Sequence, residues 1–129
     1  MPQGQGKNIL IVEDEFLIAI HAAEVMEGLG FCVVGPVATI EQALELLREG
    51  AFDGAILDVN LSGTLVFPVA EALVDRGIPF ILTSGYEATG LPERWRDRPH
   101  LRKPVIERDL ARLAGHVFTA DTAMVAANA

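Results

Sequence analysis

Asp58 ends an apolar run, Gly54-Ala55-Ile56-Leu57, that is too short for a helix. A second run of the same form, Asn8-Ile9-Leu10-Ile11-Val12, leads into Glu13-Asp14-Glu15. Short, continuous apolar runs are the pattern of strands buried on both faces. Two such strands, each ending in acid, predict carboxylates meeting at one edge of a sheet. Crowded carboxylates repel one another unless a hard cation neutralises them or their pKa values move apart. Mg2+ suits such a site, because it takes oxygen ligands, keeps several waters and commonly bridges protein carboxylates to a phosphate. Glu13, Asp14 and Asp58 are therefore the expected metal ligands, with a phosphoryl oxygen completing the shell.

Two further polar residues stand at strand ends. Ser84 follows the apolar stretch Pro79 to Thr83, and its hydroxyl can donate to a phosphoryl oxygen. Lys103 follows His100-Leu101-Arg102 and can pair with phosphoryl charge. With Mg2+, these groups would stabilise the spread negative charge of a phosphoryl group in transfer. Asp58, at the centre, is the expected nucleophile, forming an aspartyl phosphate.

The elements that must position these residues alternate in type. Strands are expected at Asn8 to Val12, Phe31 to Val34 (ended by Gly35-Pro36), Gly54 to Leu57, Pro79 to Thr83 and His100 to Arg102. Helices are expected at Glu15 to Gly30, with Ile18, Ala22, Val25 and Leu29 inward, and at Thr39 to Gly50, where Thr39 and Gln42 form a capping box. Two more follow at Pro68 to Arg76 and at Glu107 to Phe118, the latter with Leu110, Leu113, Ala114 and Val117 inward. Ser84 to Pro99 holds two glycines and two prolines without an apolar period, so a loop with one short turn near Glu93 to Arg96 is expected. Trp95 in that turn is read as a cap over the core. Alternating strands and helices make a parallel sheet covered on both faces. The small five-stranded form is flavodoxin-like, with order 2-1-3-4-5, and its crevice lies at the carboxyl ends of the first and third strands. Topology and acidic pattern thus converge on one spot.

Composition bounds the rest. The 129 residues are half hydrophobic and carry a formal net charge of −8. One domain with a real core is expected over residues 7–118, with flexible ends at 1–6 and 119–129. The acidic balance argues against nonspecific nucleic-acid binding, which needs clustered cations. The single cysteine, Cys32, precludes an intramolecular disulfide and is expected as a small buried residue. No apolar run approaches membrane-spanning length and no secretory signal pattern is present, so a cytoplasmic location is the default expectation.

Taken together, Glu13-Asp14, Asp58, Ser84-Gly85 and Lys103-Pro104, each after an expected strand and in this order, resemble the receiver (CheY-like) domain of two-component response regulators. The resemblance covers roughly Lys7 to Phe118. It implies that Asp58 is the phosphoacceptor and that Glu13 and Asp14 hold Mg2+, with the backbone carbonyl of Asn60 as a further ligand. It implies that Ser84, five residues after Pro79, is the switch hydroxyl rather than Thr83. Lys103 would bind the phosphoryl group, followed by a cis bond to Pro104. It further implies that Asn60 and Tyr86 tune the lifetime of the phosphoryl group.

The chain departs from the common receiver pattern at His100, where an aromatic switch residue is usual, at Val105 in place of Phe, and in a fourth helix that is shortened or absent. With Pro79-Phe80-Ile81-Leu82-Thr83-Ser84-Gly85-Tyr86, these features resemble stand-alone alphaproteobacterial receivers with a Pro-Phe-x-Phe-Ala-Thr-Gly-Tyr-like motif, whose partners include HWE-type histidine kinases. The switch role stays open between Tyr86 and His100, and the plainer expectation for His100 is a half-exposed, hydrogen-bonded histidine. The expected function is that of a single-domain response regulator. It takes a phosphoryl group from a histidine kinase or phosphotransfer protein and signals through a downstream protein target or by competing for phosphate. The alternatives are a pseudo-receiver that binds proteins without phosphorylation, and a Mg2+-dependent phosphohydrolase. The second lacks a cap, and Asn60 stands where it would need an acid.

Overall fold

The computed structural model describes residues 4–119. Its strands are β1 (Asn8–Val12), β2 (Cys32–Val37), β3 (Gly54–Asp58), β4 (Asn60–Leu61), β5 (Thr64–Leu65), β6 (Phe80–Ser84) and β7 (His100–Arg102). Its α-helices are α1 (Phe16–Gly28), α2 (Ile40–Glu49), α3 (Phe67–Asp75) and α4 (Glu107–Thr119). Five strands form one parallel sheet in the order β2-β1-β3-β6-β7, while β4 and β5 pair as a separate antiparallel hairpin. With the hairpin set aside, this is the expected flavodoxin-like order 2-1-3-4-5.

The alternation of side chains along a strand divides the core in two. Leu10 and Val12 of β1 point with Leu57 and Leu82 towards α2 and α3, where Ala43, Leu47, Val69 and Leu73 are buried. Ile9 and Ile11 point with Ile56 and Ile81 towards α1 and α4, meeting Met26, Leu110, Ala114 and Phe118. The central strands β1, β3 and β6 are buried almost throughout, as their unbroken apolar sequences require.

Thr39 caps α2 by accepting from the Gln42 N–H at 3.1 Å, and the Gln42 side chain accepts from the Ala38 N–H at 3.0 Å, one residue earlier than a standard capping box. In α1 the deepest residues are Ala19, Ala23, Val25 and Met26, a stripe turned from the expected Ile18, Ala22, Val25 and Leu29. This helix is apolar on several sides, so its sequence period marks the inward face poorly. Phe16 and Leu17 stay exposed at 74% and 79%.

Three other expectations need correction. Gly35-Pro36 does not end β2: the strand runs on to Val37 through a cis peptide, with the register slipping between Leu10↔Val34 and Val12↔Val37. An edge strand tolerates this, because the proline nitrogen owes no ladder bond on its open side. Cys32 is exposed, for the same reason that β2 is an edge strand. Gly4 to Gly6, expected within a loose end, form a turn tied to the end of α1, with Gly4 N–H donating to Leu29 O at 2.7 Å and Gly6 N–H to Gly30 O at 2.9 Å. Residues 1–3 and 120–129 of the expected flexible ends lie outside the described residues.

Between β6 and β7 there is no α-helix, only two 3-10 turns, Ala88–Gly90 and Glu93–Trp95. The segment is fastened by Trp95, which is buried and stacks on Phe67 of α3 with ring centroids 5.5 Å apart and 4° between planes. Phe80 packs against the same indole at 6.1 Å. Trp95 thus caps the core, and Leu91 is buried beside it. Replacing Trp95 with Ala is expected to cost about 3–5 kcal/mol, read from urea denaturation. A loss under about 1 kcal/mol would show that the segment is fastened elsewhere.

Candidate functional site

Parallel pairing fixes where the acids go. β1 and β3 run side by side in the register Val12↔Leu57, so Glu13 and Asp58, one residue beyond each partner, emerge together at the carboxyl edge. Glu13, Asp14 and Asp58 each offer an oxygen within 4.8 Å of the others'. Asp58 is 4% exposed and Glu13 7%, while Asp14 is half-buried. Lys103 reaches in after β7, its Nζ 2.8 Å from Glu13 Oε1 and 3.2 Å from Asp58 Oδ2.

Charges pressed together in a poorly solvated edge shift one another. Burial, then hydrogen bonding and repulsion from Glu13, push Asp58 up to about 7, against the opposing pull of Lys103. Burial works against the Lys103 ammonium, yet its bond to Glu13 and the charges of Asp58 and Glu13 outweigh it and raise its pKa. Asp14 is lowered, mainly because the Ser62 hydroxyl donates to its carboxylate, with burial opposing.

Ser62 is a site residue that the sequence reading missed. It sits at the turn of the β4–β5 hairpin, with Ser62 at φ 52° and Gly63 at φ 94°. Positive φ at both central residues is the geometry of a type I′ turn. The Ser62-Gly63 dipeptide was the available signal. Asn60 serves this turn as well: its side-chain oxygen accepts from Gly63 N–H at 2.6 Å, while its backbone N–H donates to Asp58 Oδ1 at 3.3 Å.

A cleft of about 430 Å3 opens over these groups, lined in part by Asp14, Asp58, Ser62, Ser84, Tyr86 and Lys103. Asn60 and Gly85 line it too. Thr83, the neighbour of Ser84, faces the opposite way into an apolar cavity that Pro104 also lines. The Ser84 hydroxyl lies 2.7 Å from His100 Nε2 and 2.9 Å from Tyr86 O, and it receives the Tyr86 N–H at 3.2 Å. His100 is half-buried, and burial lowers its pKa. The Lys103-Pro104 peptide is cis. The candidate residues thus gather at one edge: Asp58, Asp14, Ser84 and Lys103 share the cleft, Glu13 joins through Lys103, and His100 stands behind Ser84.

No family model matches the chain. The solution structure of SdrG from Sphingomonas melonis Fr1 matches with a TM-score of 0.75 and 45% identity, covering 85% of this chain and 95% of that one. The receiver domain of the PhyR response regulator from Erythrobacter litoralis matches with a TM-score of 0.77 and 25% identity, over 86% and 88% of the two chains. The chain belongs to the response-regulator receiver (CheY-like) family. The transcriptional regulatory protein PdtaR of Mycobacterium tuberculosis is 30% identical over 108 residues, which is 81% of this receiver chain and 53% of PdtaR. The receiver chain therefore spans about half the length of that curated relative.

The raised pKa carries a prediction for the metal-free receiver. Asp58 titrates near 7 when folded and near its ordinary value when unfolded, so the folded state binds its proton more tightly. The resulting stability is full below the unfolded value and fades as pH rises through about 7. In EDTA at pH 8, Asp58→Asn is expected to raise Tm by about 3–5 °C, equivalent to about 1 kcal/mol, because the amide cannot ionise. Mg2+ should raise the wild-type Tm and act far less on the variant. A variant melting below wild type in EDTA would contradict the crowding argument.

Proposed function

We propose that this receiver accepts a phosphoryl group on Asp58 from a histidine kinase or phosphotransfer protein within a two-component phosphorelay. The observation that carries the reading is the meeting of Glu13, Asp14 and Asp58 within 4.8 Å beside Lys103. A divalent cation fits that oxygen donor set. When bound, Mg2+ would neutralise the acids, hold Asp58 ionised and screen phosphoryl charge.

The work of the chain follows from its own side chains. An Asp58 carboxylate oxygen attacks phosphorus, and the bond from phosphorus to the donor breaks. The leaving group departs with the bonding pair and takes up a proton. Lys103, already on Asp58, pairs with a phosphoryl oxygen as it arrives. Ser84 donates its hydroxyl proton to another. Turning that proton away breaks its bond to Tyr86 O, so the Tyr86 turn carries the change to the surface.

Several features support the finer reading. The match to SdrG over nearly that whole chain accords with the stand-alone alphaproteobacterial subgroup, whose resemblance implies an HWE-type kinase as donor. SdrG has also been solved in a BeF3-activated conformation. The exposed Leu17 lines an apolar cavity of about 220 Å3 together with Ile18, Val105 and Lys103, and Phe16 and Ile106 are exposed as well. An apolar patch beside the phosphoacceptor suits the docking of a phosphodonor protein. The net charge of −8 suits a protein target rather than nucleic acid. Among the described residues, no helix is long and apolar enough to cross a membrane, which accords with a cytoplasmic role.

Intact mass after incubation with Mg2+ and acetyl phosphate tests the reading. One added phosphoryl group is expected on the wild type and none on Asp58→Asn. Labelling of both proteins would mean that another residue accepts the group. Labelling of neither, with transfer from a purified kinase also absent, would favour the pseudo-receiver.

A further inference from the structure

The Ser84 hydroxyl has three polar neighbours: Tyr86 O, the Tyr86 N–H and His100 Nε2. A hydroxyl carries one proton and two acceptor positions. Tyr86 O can only accept and Tyr86 N–H can only donate. If the hydroxyl gave its proton to His100, Tyr86 O would lose its donor. One assignment satisfies all three contacts. Ser84 donates to Tyr86 O, accepts from Tyr86 N–H, and accepts from a protonated His100 Nε2.

We propose that His100 is a positioning residue for Ser84, donating from Nε2 to the hydroxyl so that the single Ser84 proton stays free to turn from Tyr86 O to a phosphoryl oxygen. The 2.7 Å approach of Nε2 is the shortest of the three contacts to this oxygen. His100 pairs with Leu82 in the ladder between β6 and β7, which holds the ring beside the strand that bears Ser84. Burial favours the uncharged ring, so the donor is the neutral tautomer protonated at Nε2. A phenylalanine here would fill the same space but leave an acceptor position of Ser84 unpaired, and the opposite tautomer would compete for the proton that the phosphoryl group needs. Exchange of acceptor can then occur with the oxygen held in place, since two of its three bonds are kept.

The inference rests on Ser84 serving a phosphoryl group at Asp58, but its first test does not. Imidazole 15N shifts of His100 in the unphosphorylated protein are expected to show the neutral ring protonated at Nε2. A ring protonated at Nδ1 would overturn the proposal whatever the fate of Asp58. The second test is beryllofluoride affinity in Mg2+. His100→Phe should weaken it about fivefold, the worth of one ordinary hydrogen bond, and His100→Gln, which keeps a donor at similar reach, should restore it to within about twofold. Equal affinity for His100→Phe and wild type would overturn the proposal, as would a Gln variant no better than Phe. Should wild type take neither beryllofluoride nor a phosphoryl group from acetyl phosphate or a purified kinase, the Asp58 reading fails, and the tautomer alone decides the role of His100.

Discussion

Three carboxylates share one end of a hydrophobic sheet, and a single ammonium holds two of them. Everything else at the carboxyl edge can be understood as managing that crowding. Lys103 bridges Glu13 and Asp58, Ser62 donates to Asp14, and the Asn60 backbone donates to Asp58. Apart from Lys103, the groups placed on the acids are neutral, so burial, with the hydrogen bond and charge of Glu13, pushes Asp58 up to about 7. Such an edge suits the proposed hard cation and the charge-rich group that it would bring with it. The apolar strands beneath keep the acids from moving apart.

The same edge connects charge to shape. Ser84 lies on the strand beside Asp58, and its hydroxyl is bonded into the Tyr86 turn on one side and to His100 on the other. The segment beyond is buried at Leu91 and Trp95 but exposed at Gly85 and Tyr86. In the proposed mechanism, anchoring at one end and hydrogen bonding at the other would let a proton-sized change at Ser84 alter a short surface loop. With two 3-10 turns in place of a helix between β6 and β7, no rigid cylinder would have to move with it.

Much of this was legible in the sequence because parallel strands send their carboxyl ends to a common edge. Once Asn8 to Val12 and Gly54 to Leu57 are read as strands, Glu13, Asp14 and Asp58 have to meet. Ser84 was singled out over Thr83 by its place in the receiver pattern, five residues after Pro79, and of the two only Ser84 lines the cleft. The β4–β5 hairpin was not, because strands of two residues carry no period. With it went Ser62. The inward face of α1 was blurred by apolar residues around the helix, and the burial of Cys32 was overstated because an apolar run does not say whether its strand lies at an edge. Hydrogen-bond partners such as His100 and Ser84 depend on register between β6 and β7, which spacing alone does not give.

Identifying the residue that carries the phosphoryl group tests the central claim most directly. After acetyl phosphate and Mg2+, borohydride converts an aspartyl phosphate to homoserine, and peptide mass spectrometry locates it. The account predicts homoserine at position 58 alone. Homoserine at position 14, or an unmodified Asp58 in protein shown to carry the phosphoryl group, would contradict it.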